Sequence, residues 1–123
     1  MTKLTIPGQV ISDNHLYLLR TVGKHTIKFM TKKGKDYKAK VIEQIQHLKP
    51  TAEPVVMTIN FYYGDKRKRD VHGSLKALMD AMEGYIYQDD SQVIKLTITK
   101  AYDKNNPRAE VEVDTVGELY GND

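Results

Sequence analysis

The chain has 123 residues, with 19 lysines and arginines against 16 acidic residues and a net charge of +3. That length suits one domain, and 40% hydrophobic with 28% charged residues is a globular rather than a disordered balance. The absence of cysteine excludes disulfides, thiolate-bound zinc, iron–sulfur clusters and cysteine nucleophiles. No apolar run approaches the ~20 residues that cross a bilayer, and the N-terminal segment lacks a signal-peptide core. The sequence therefore predicts a soluble cytoplasmic domain with no membrane partner.

The positive charge is concentrated in the first part of the chain. Residues 1–49 carry a net charge of +7, whereas residues 50–123 carry −4. The two most basic stretches are the one from Arg20 to Lys40 and the tetrad of Lys66, Arg67, Lys68 and Arg69. A polarised distribution suits a phosphate backbone on one side of the domain, although runs of charge are also common on solvated faces.

Three short strands are predicted before the first helix. Residues 3–6 alternate apolar and polar side chains and end at Pro7-Gly8, which favours a strand followed by a turn. An extended pair is predicted at Leu16–Arg20 and His25–Met30, joined across Val22-Gly23-Lys24.

Two amphipathic helices are predicted in the middle of the chain. The first begins near Lys35 and is stopped by Pro50. Its apolar stripe consists of Tyr37, Val41, Ile45 and Leu48. The second begins near Gly73 or Ser74 and ends at Gly84, a residue suited to a helix C-cap. Its apolar stripe consists of Leu75, Leu78, Met79 and Met82.

The strongest predicted strand is Val55–Tyr63, because apolar side chains occupy every second position. Val93–Lys100 and Ala109–Val113 also alternate, and the polar turn between them predicts an antiparallel hairpin. The tail from about residue 117 is predicted to be loose. These elements predict a single domain over residues 1–123, of the α+β class, with a mixed, mostly antiparallel sheet and two principal helices.

Polar residues with metal-binding chemistry flank the second helix. Asp70 lies just before it, and Asp89 and Asp90 lie just before a strand. One interpretation is that Asp70 and one of the later pair converge on Mg²⁺ or Mn²⁺, with the basic tetrad holding a phosphate. The other is structural: Asp70 or Ser74 caps the helix, and Asp89-Asp90 forms a turn. Spacing alone leaves both interpretations open.

Two segments combine these residues in a specific order. The first is Arg69-Asp70-Val71-His72-Gly73-Ser74-Leu75-Lys76, followed by Asp80-Ala81-Met82, and the second is Tyr87-Gln88-Asp89-Asp90-Ser91-Gln92-Val93. Together they resemble the RusA-type Holliday-junction resolvases, whose pattern is Asp-x-Asp-Asn-x-x-Lys, then Asp-Ala-Leu, then Asp-Asp-x-Gln-Val/Ile opening a strand. Ile6-Pro7-Gly8 and Lys100 extend the resemblance, more weakly, over most of the chain.

The resemblance implies a homodimeric endodeoxyribonuclease that resolves four-way or branched DNA by paired nicks in recombination and repair. It implies Mg²⁺ as cofactor, with Mn²⁺ as the other candidate, in a bacterial or phage-infected cell. By position it implies catalytic roles for Asp70, His72, Lys76 and Asp90. The implied metal ligands are Asp70 and Asp90, with His72 as a third candidate.

Contacts to DNA are expected from the basic stretches. The candidate residues are Lys66, Arg67, Lys68, Arg69, Lys32, Lys33 and Lys35. Contacts to phosphates position a protein on DNA but do not distinguish base sequences, so the shape of the junction should dominate affinity. Binding should also weaken as the salt concentration rises. The chain has no glycine-rich phosphate loop, and no nucleotide cofactor is expected.

The chain departs from the family pattern at His72 and Gly73, where the pattern has a second aspartate and an asparagine. Three roles for His72 remain open: a metal ligand better suited to Mn²⁺, a general acid or base, or a helix-start residue with no chemical role. The last role suits the alternative function, a non-catalytic branched-DNA or RNA-binding protein that kept the resolvase fold.

Two further expectations concern neighbouring acids. Asp80 lies four residues after Lys76, so an ion pair that orients Lys76 is expected on one helix face. Asp89 and Asp90 are adjacent on an extended chain and point to opposite sides, so only one can face Asp70. The family pattern selects Asp90, which leaves Asp89 to cap the turn or accept hydrogen bonds there.

Overall fold

The computed structural model describes residues 2–11, 17–67 and 71–121. Its strands are β1 (Thr2–Pro7), β2 (Tyr17–Val22), β3 (His25–Met30), β4 (Val55–Tyr63), β5 (Val93–Tyr102) and β6 (Arg108–Thr115). Its helices are α1 (Lys32–Ile45), α2 (Val71–Met82) and the short α3 (Val116–Tyr120). The predicted α+β class is confirmed, with two substantial helices, a mixed four-stranded sheet and a two-stranded antiparallel sheet.

The four-stranded sheet has the order β1-β6-β4-β5. Strand β6 pairs antiparallel with both β1 and β4, whereas β4 pairs parallel with β5. The predicted hairpin between Val93–Lys100 and Ala109–Val113 is therefore wrong, because β4 lies between β5 and β6. The physical reason is the burial of β4: every second side chain of Val55–Tyr63 is buried, and a central position with partners on both edges accommodates such a strand.

Both long helices cover the same face of this sheet. The inward side chains of β4 are Val55, Met57, Ile59, Phe61 and Tyr63, all at most 3% exposed. They form one core with Val41 and Ile45 of α1 and with Leu78 and Met82 of α2. This packing fixes the two helices on the sheet and thereby positions the residues at the ends of α2.

The helix boundaries differ from the predicted ones by a few residues. Helix α1 begins at Lys32 rather than near Lys35, because the Thr31 side chain caps it by accepting a hydrogen bond from the Gly34 amide at 2.9 Å. It ends at Ile45, before the predicted stop at Pro50.

Helix α2 begins at Val71, two or three residues before the predicted start. Ser74 is therefore inside the helix and does not cap it. Gly84 follows the last turn with φ of +86°, as expected of a C-cap glycine.

The segment after β6, from which the sequence predicted a loose tail, contains a short helix. Helix α3 covers Val116–Tyr120. The Thr115 side chain accepts from the Glu118 amide, and the Glu118 carboxylate accepts from the Thr115 amide, each at 3.2 Å. This reciprocal capping box stabilises a helix of only five residues. Across the described part of the chain, every helix is too short or too polar to cross a membrane.

Candidate functional site

The described residues of the predicted site are divided between α2 and the turn that precedes β5. Strands β4 and β5 run parallel and α2 connects them, so the helix runs back from the end of β4 to the start of β5. A helix of 12 residues is roughly 18 Å long at 1.5 Å per residue. His72 lies in the first turn, whereas Asp90 lies just before β5. Asp70, Lys68 and Arg69 fall outside the described residues.

Three carboxylates meet at the far end of α2. Glu83, Asp89 and Asp90, which we call the acidic cluster, are exposed and bring carboxylate oxygens within 4.8 Å of one another. Glu83 directly follows α2, and Asp90 opens a 3₁₀ turn that leads into β5. The cluster therefore joins the end of the crossover helix to the start of the next strand.

Gln92 fixes the loop that carries this cluster. Its side-chain amide donates to the carbonyl oxygens of Thr51 at 2.8 Å and Glu53 at 2.9 Å. Its Oε1 accepts from the amides of Gln88 and Asp89, each at 2.9 Å. The glutamine of the predicted motif thus ties the loop to the segment before β4.

Asp89 and Asp90 have different roles in the turn. Asp89 caps it, accepting hydrogen bonds from the amide and hydroxyl of Ser91, so the expected capping role is confirmed. These hydrogen bonds stabilise the charged form and hold the pKa of the Asp89 carboxyl below its usual value. Within the described part of the chain, the Asp90 carboxylate forms no hydrogen bond or ion pair. Asp90 is therefore the member of the pair that is available to a ligand.

The negative field of these carboxylates extends into the core. Tyr87 is fully buried and donates its hydroxyl to the carbonyl oxygen of Met79 at 2.9 Å. Burial raises the pKa of Tyr87, and the negative charges of Asp90 and Glu83, followed by those of Asp80 and Asp89, raise it further. Four carboxylates thus lie close enough to Tyr87 to raise its pKa.

The donor set of the acidic cluster fits a hard divalent cation. All its ligand atoms are carboxylate oxygens, which Mg²⁺ and Mn²⁺ prefer. All three side chains are exposed, which suits Mg²⁺ because this ion keeps several of its water ligands. The sequence interpretation missed Glu83. A signal was present, because Glu83 continues the helical spacing of His72, Lys76 and Asp80.

The first half of α2 presents His72, in the first turn, and Lys76, one turn later, and both are exposed. The expected ion pair between Lys76 and Asp80 is wrong: no described residue forms an ion pair with Lys76. Asp80 instead lies 3.5 Å from the hydroxyl of Tyr17. The Lys76 side chain is thus exposed on the helix surface.

A buried hydrogen bond sets the orientation of this first turn. Ser74 is fully buried, and its hydroxyl lies 2.8 Å from that of Tyr63 at the end of β4. His72 and Lys76 are each two residues from Ser74, close to the opposite side of a helix. The inward position of Ser74 therefore directs both side chains to solvent.

Five of the seven bases predicted to contact DNA fall among the described residues, and we call them the basic group. They are Lys32, Lys33, Lys35, Lys66 and Arg67. Lys40, in the second half of α1, donates to the carbonyl oxygen of Pro7 at 3.0 Å, and Pro7 pairs with Arg108 beside Tyr62. The chain continues from there through the end of α1 to Thr51, which bridges to Tyr87 at the other end of the sheet, so the first turn of α1 lies on the side of Pro7. The basic group thus lies at the opposite end of the sheet from the acidic cluster.

Two members of the basic group have neighbours that orient them. The Lys66 ammonium lies 5.2 Å from the ring centroid of Tyr102, within the range of a cation–π contact. Arg67 lies 4.0 Å from the Asp65 carboxylate, and its amide donates to the same side chain at 3.1 Å. Both side chains remain exposed. They can therefore contact a phosphate without losing these neighbours.

The described residues thus present an exposed carboxylate cluster and a separate group of exposed bases, whose chemistries suit a cation and a phosphate respectively. A sequence comparison with known protein families matches residues 7–114 to the endodeoxyribonuclease RusA family. The chain belongs to this family, and the resemblance inferred from residues 69–93 is confirmed. The family implies a Holliday-junction-resolving endonuclease. No match was found among the curated proteins.

Proposed function

We propose that this protein is a divalent-metal-dependent endodeoxyribonuclease that resolves four-way or branched DNA by paired nicks. Membership of the family supports cleavage of DNA. The observation that carries the metal dependence is the acidic cluster, in which the Asp90 carboxylate forms no hydrogen bond or ion pair with a described residue. Its cellular role would be in recombination and repair, in the cytoplasm of a bacterial or phage-infected cell.

The ligands proposed for the metal are Asp90 and Glu83, with Asp89 beside them and Asp70 added by the family pattern. A bound Mg²⁺ or Mn²⁺ would supply an activated water and offset charge on the scissile phosphate. Lys76, which has no ion-pair partner among the described residues, would stabilise the charge that develops on that phosphate. His72 would complete the ligand set or exchange a proton with the reacting oxygen.

These roles combine residues from the first half of α2 with residues that follow the helix, and we propose that a partner chain brings the two sets together. Eleven residues separate His72 from Glu83, or roughly 16 Å along the helix axis. A two-fold dimer in which two copies of α2 lie side by side and antiparallel would place each first turn beside the partner's acidic cluster. The basic group of one protomer would then face the acids of the other, which is electrostatically favourable. We therefore propose a homodimer with two composite sites.

DNA would be held by the basic group, together with Lys68 and Arg69 of the basic tetrad. Such contacts release counterions from the phosphate backbone, so affinity should fall steeply as salt increases. The spacing of two sites in a dimer would favour a symmetric four-way junction over a duplex.

The test is cleavage of a synthetic four-way junction in Mg²⁺ and, separately, in Mn²⁺. Asp90→Asn and Glu83→Gln each remove a carboxylate, so we expect cleavage to fall by about a hundredfold or more, while binding in EDTA is retained. His72→Ala is expected to lower cleavage sharply with binding intact. Asp114→Asn is the matched control: Asp114 also lies in the acidic part of the chain, but on the sheet face away from the helices.

One observation favours a second candidate. His72 stands where the family pattern has an aspartate, which removes two oxygen ligands from the site. The alternative is a non-catalytic protein that binds branched DNA or RNA. Tight junction binding without cleavage in either metal would support it and reject the nuclease.

A further inference from the structure

The strands β2 and β3 form an arm that projects from the domain. They pair only with each other, through a two-residue turn in which Gly23 has φ of +63°. Every side chain from Leu18 to Phe29 is exposed, and only Tyr17 and Met30 at the base are partly buried against the core. We call residues 17–30 the arm.

The two faces of the arm differ in chemistry. Residues directly opposite in an antiparallel pair share a face, so the register assigns every side chain. The apolar face carries Leu18, Val22, Ile27 and Phe29, which are 52%, 52%, 48% and 41% exposed, together with Arg20 and His25. The other face carries Leu19, Thr21, Thr26 and Lys28. Four large apolar side chains thus form one exposed surface of the kind that marks a binding site.

The charge of the arm indicates what covers this surface. The arm contains Arg20, Lys24 and Lys28 and no acidic residue, and three lysines of α1 follow it directly. Face-to-face pairing of two arms would bring like charges together, with only the four apolar side chains of each copy to offset the repulsion. A nucleic acid supplies the opposite charge in its phosphates and flat apolar surfaces in its bases.

We infer that the apolar face packs against bases exposed at the branch point of the DNA, while the basic side chains of the arm contact the flanking phosphates. The inference rests on the proposed function and adds a source of selectivity to it. Phosphate contacts respond to the arrangement of the DNA backbone, whereas contacts to unstacked bases are offered only at the branch. A two-stranded ribbon of six-residue strands, roughly 20 Å long, has dimensions that fit a groove or junction opening.

The test compares two faces of the same arm. The double variant Ile27→Thr with Phe29→Thr removes apolar surface and places β-branched, strand-forming threonine at both positions. Leu19→Thr is the control, because Leu19 is the more exposed at 71% but lies on the other face. Binding is measured in EDTA to a four-way junction with 2-aminopurine at the branch point, and to a duplex of the same sequence.

We expect the double variant to bind the junction about tenfold more weakly, with duplex binding changed less than about twofold. The 2-aminopurine fluorescence increase that reports unstacking should be lost with it, and the control should match the wild type. Circular dichroism and melting temperature should be unchanged in both variants, because all three side chains are exposed.

Three results would overturn the inference. One is a double variant that retains the junction preference of the wild type. Another is equal weakening on junction and duplex. The third is conversion of a dimer to a monomer in sedimentation, which would make the apolar face an interface between copies. If the wild type itself shows no preference for the junction, the proposed function fails as well, so the two failures are distinguishable.

Discussion

At the scale of single residues, two tyrosine hydroxyls are buried near the start of α2, and they differ in their hydrogen bonding. The Tyr63 hydroxyl lies 2.8 Å from that of Ser74. The Tyr37 hydroxyl has no hydrogen-bond partner among the described residues. Burial and then proximity to Tyr63 raise the pKa of Tyr37, as expected for a phenol that cannot be solvated when charged.

This contrast predicts opposite effects of deleting two hydroxyls. Ser74→Ala leaves the buried Tyr63 hydroxyl without this partner and should lower the free energy of unfolding by about 1–2 kcal/mol. Tyr37→Phe removes a polar atom that gains no hydrogen bond, so stability should stay unchanged or increase by up to about 1 kcal/mol. Urea denaturation measures both. A loss in Tyr37→Phe as large as that in Ser74→Ala would contradict the assignment.

At the scale of elements, α1 begins with an unfavourable charge pattern. Lys32, Lys33 and Lys35 occupy its first turn, which contains no acidic residue. The N-terminus of a helix carries partial positive charge, so each lysine there costs about 0.3–1 kcal/mol. A local cost of this kind is expected where the same residues contribute to binding.

Removing one of these lysines should therefore separate stability from binding. Lys33→Gln is expected to raise the free energy of unfolding by a few tenths of a kcal/mol. It should also weaken DNA binding and reduce the slope of log K against log salt by about 1. Lys49→Gln is the matched control, because Lys49 follows α1 and lies near the other end of the sheet. An unchanged salt slope in Lys33→Gln would remove α1 from the DNA interface.

The elements themselves were largely predictable, but their pairing was not. The alternation of apolar and polar residues identified β4, β5 and β6, because a strand with one buried face requires an apolar residue at every second position. It could not reveal that β4 lies between the other two. That arrangement depends on the burial of the whole sheet, which is a non-local property.

In the candidate site, too, local features were predictable from the sequence and non-local contacts were not. The role of Asp89 as a cap follows from adjacent residues, and the structure confirms it. The pairing of Lys76 with Asp80 was wrong, because i, i+4 spacing permits an exposed ion pair that contributes little and does not enforce it. Glu83 was missed because its proximity to Asp90 depends on the return of the chain after α2.

At the scale of the whole molecule, the acidic cluster and the basic group are separated in space. The acidic cluster lies at the end of α2, and the basic group lies near its start. A metal bound by the acidic cluster would offset several negative charges, and the DNA-facing surface would become more positive than the net charge of +3 indicates. The separation along α2 is also what the proposed composite sites require.

Complementation between two inactive variants tests this arrangement. Asp90→Asn disables the acidic cluster, and Lys76→Ala disables the other end of α2, so each homodimer should fail to cleave. In a mixed dimer with composite sites, one site combines both intact residues and the other combines both substitutions. Refolding the variants together at equal amounts should therefore restore about a quarter of the wild-type sites, which make single nicks rather than paired ones. If each site is built within one chain, the mixture stays inactive, because every site then contains one substitution.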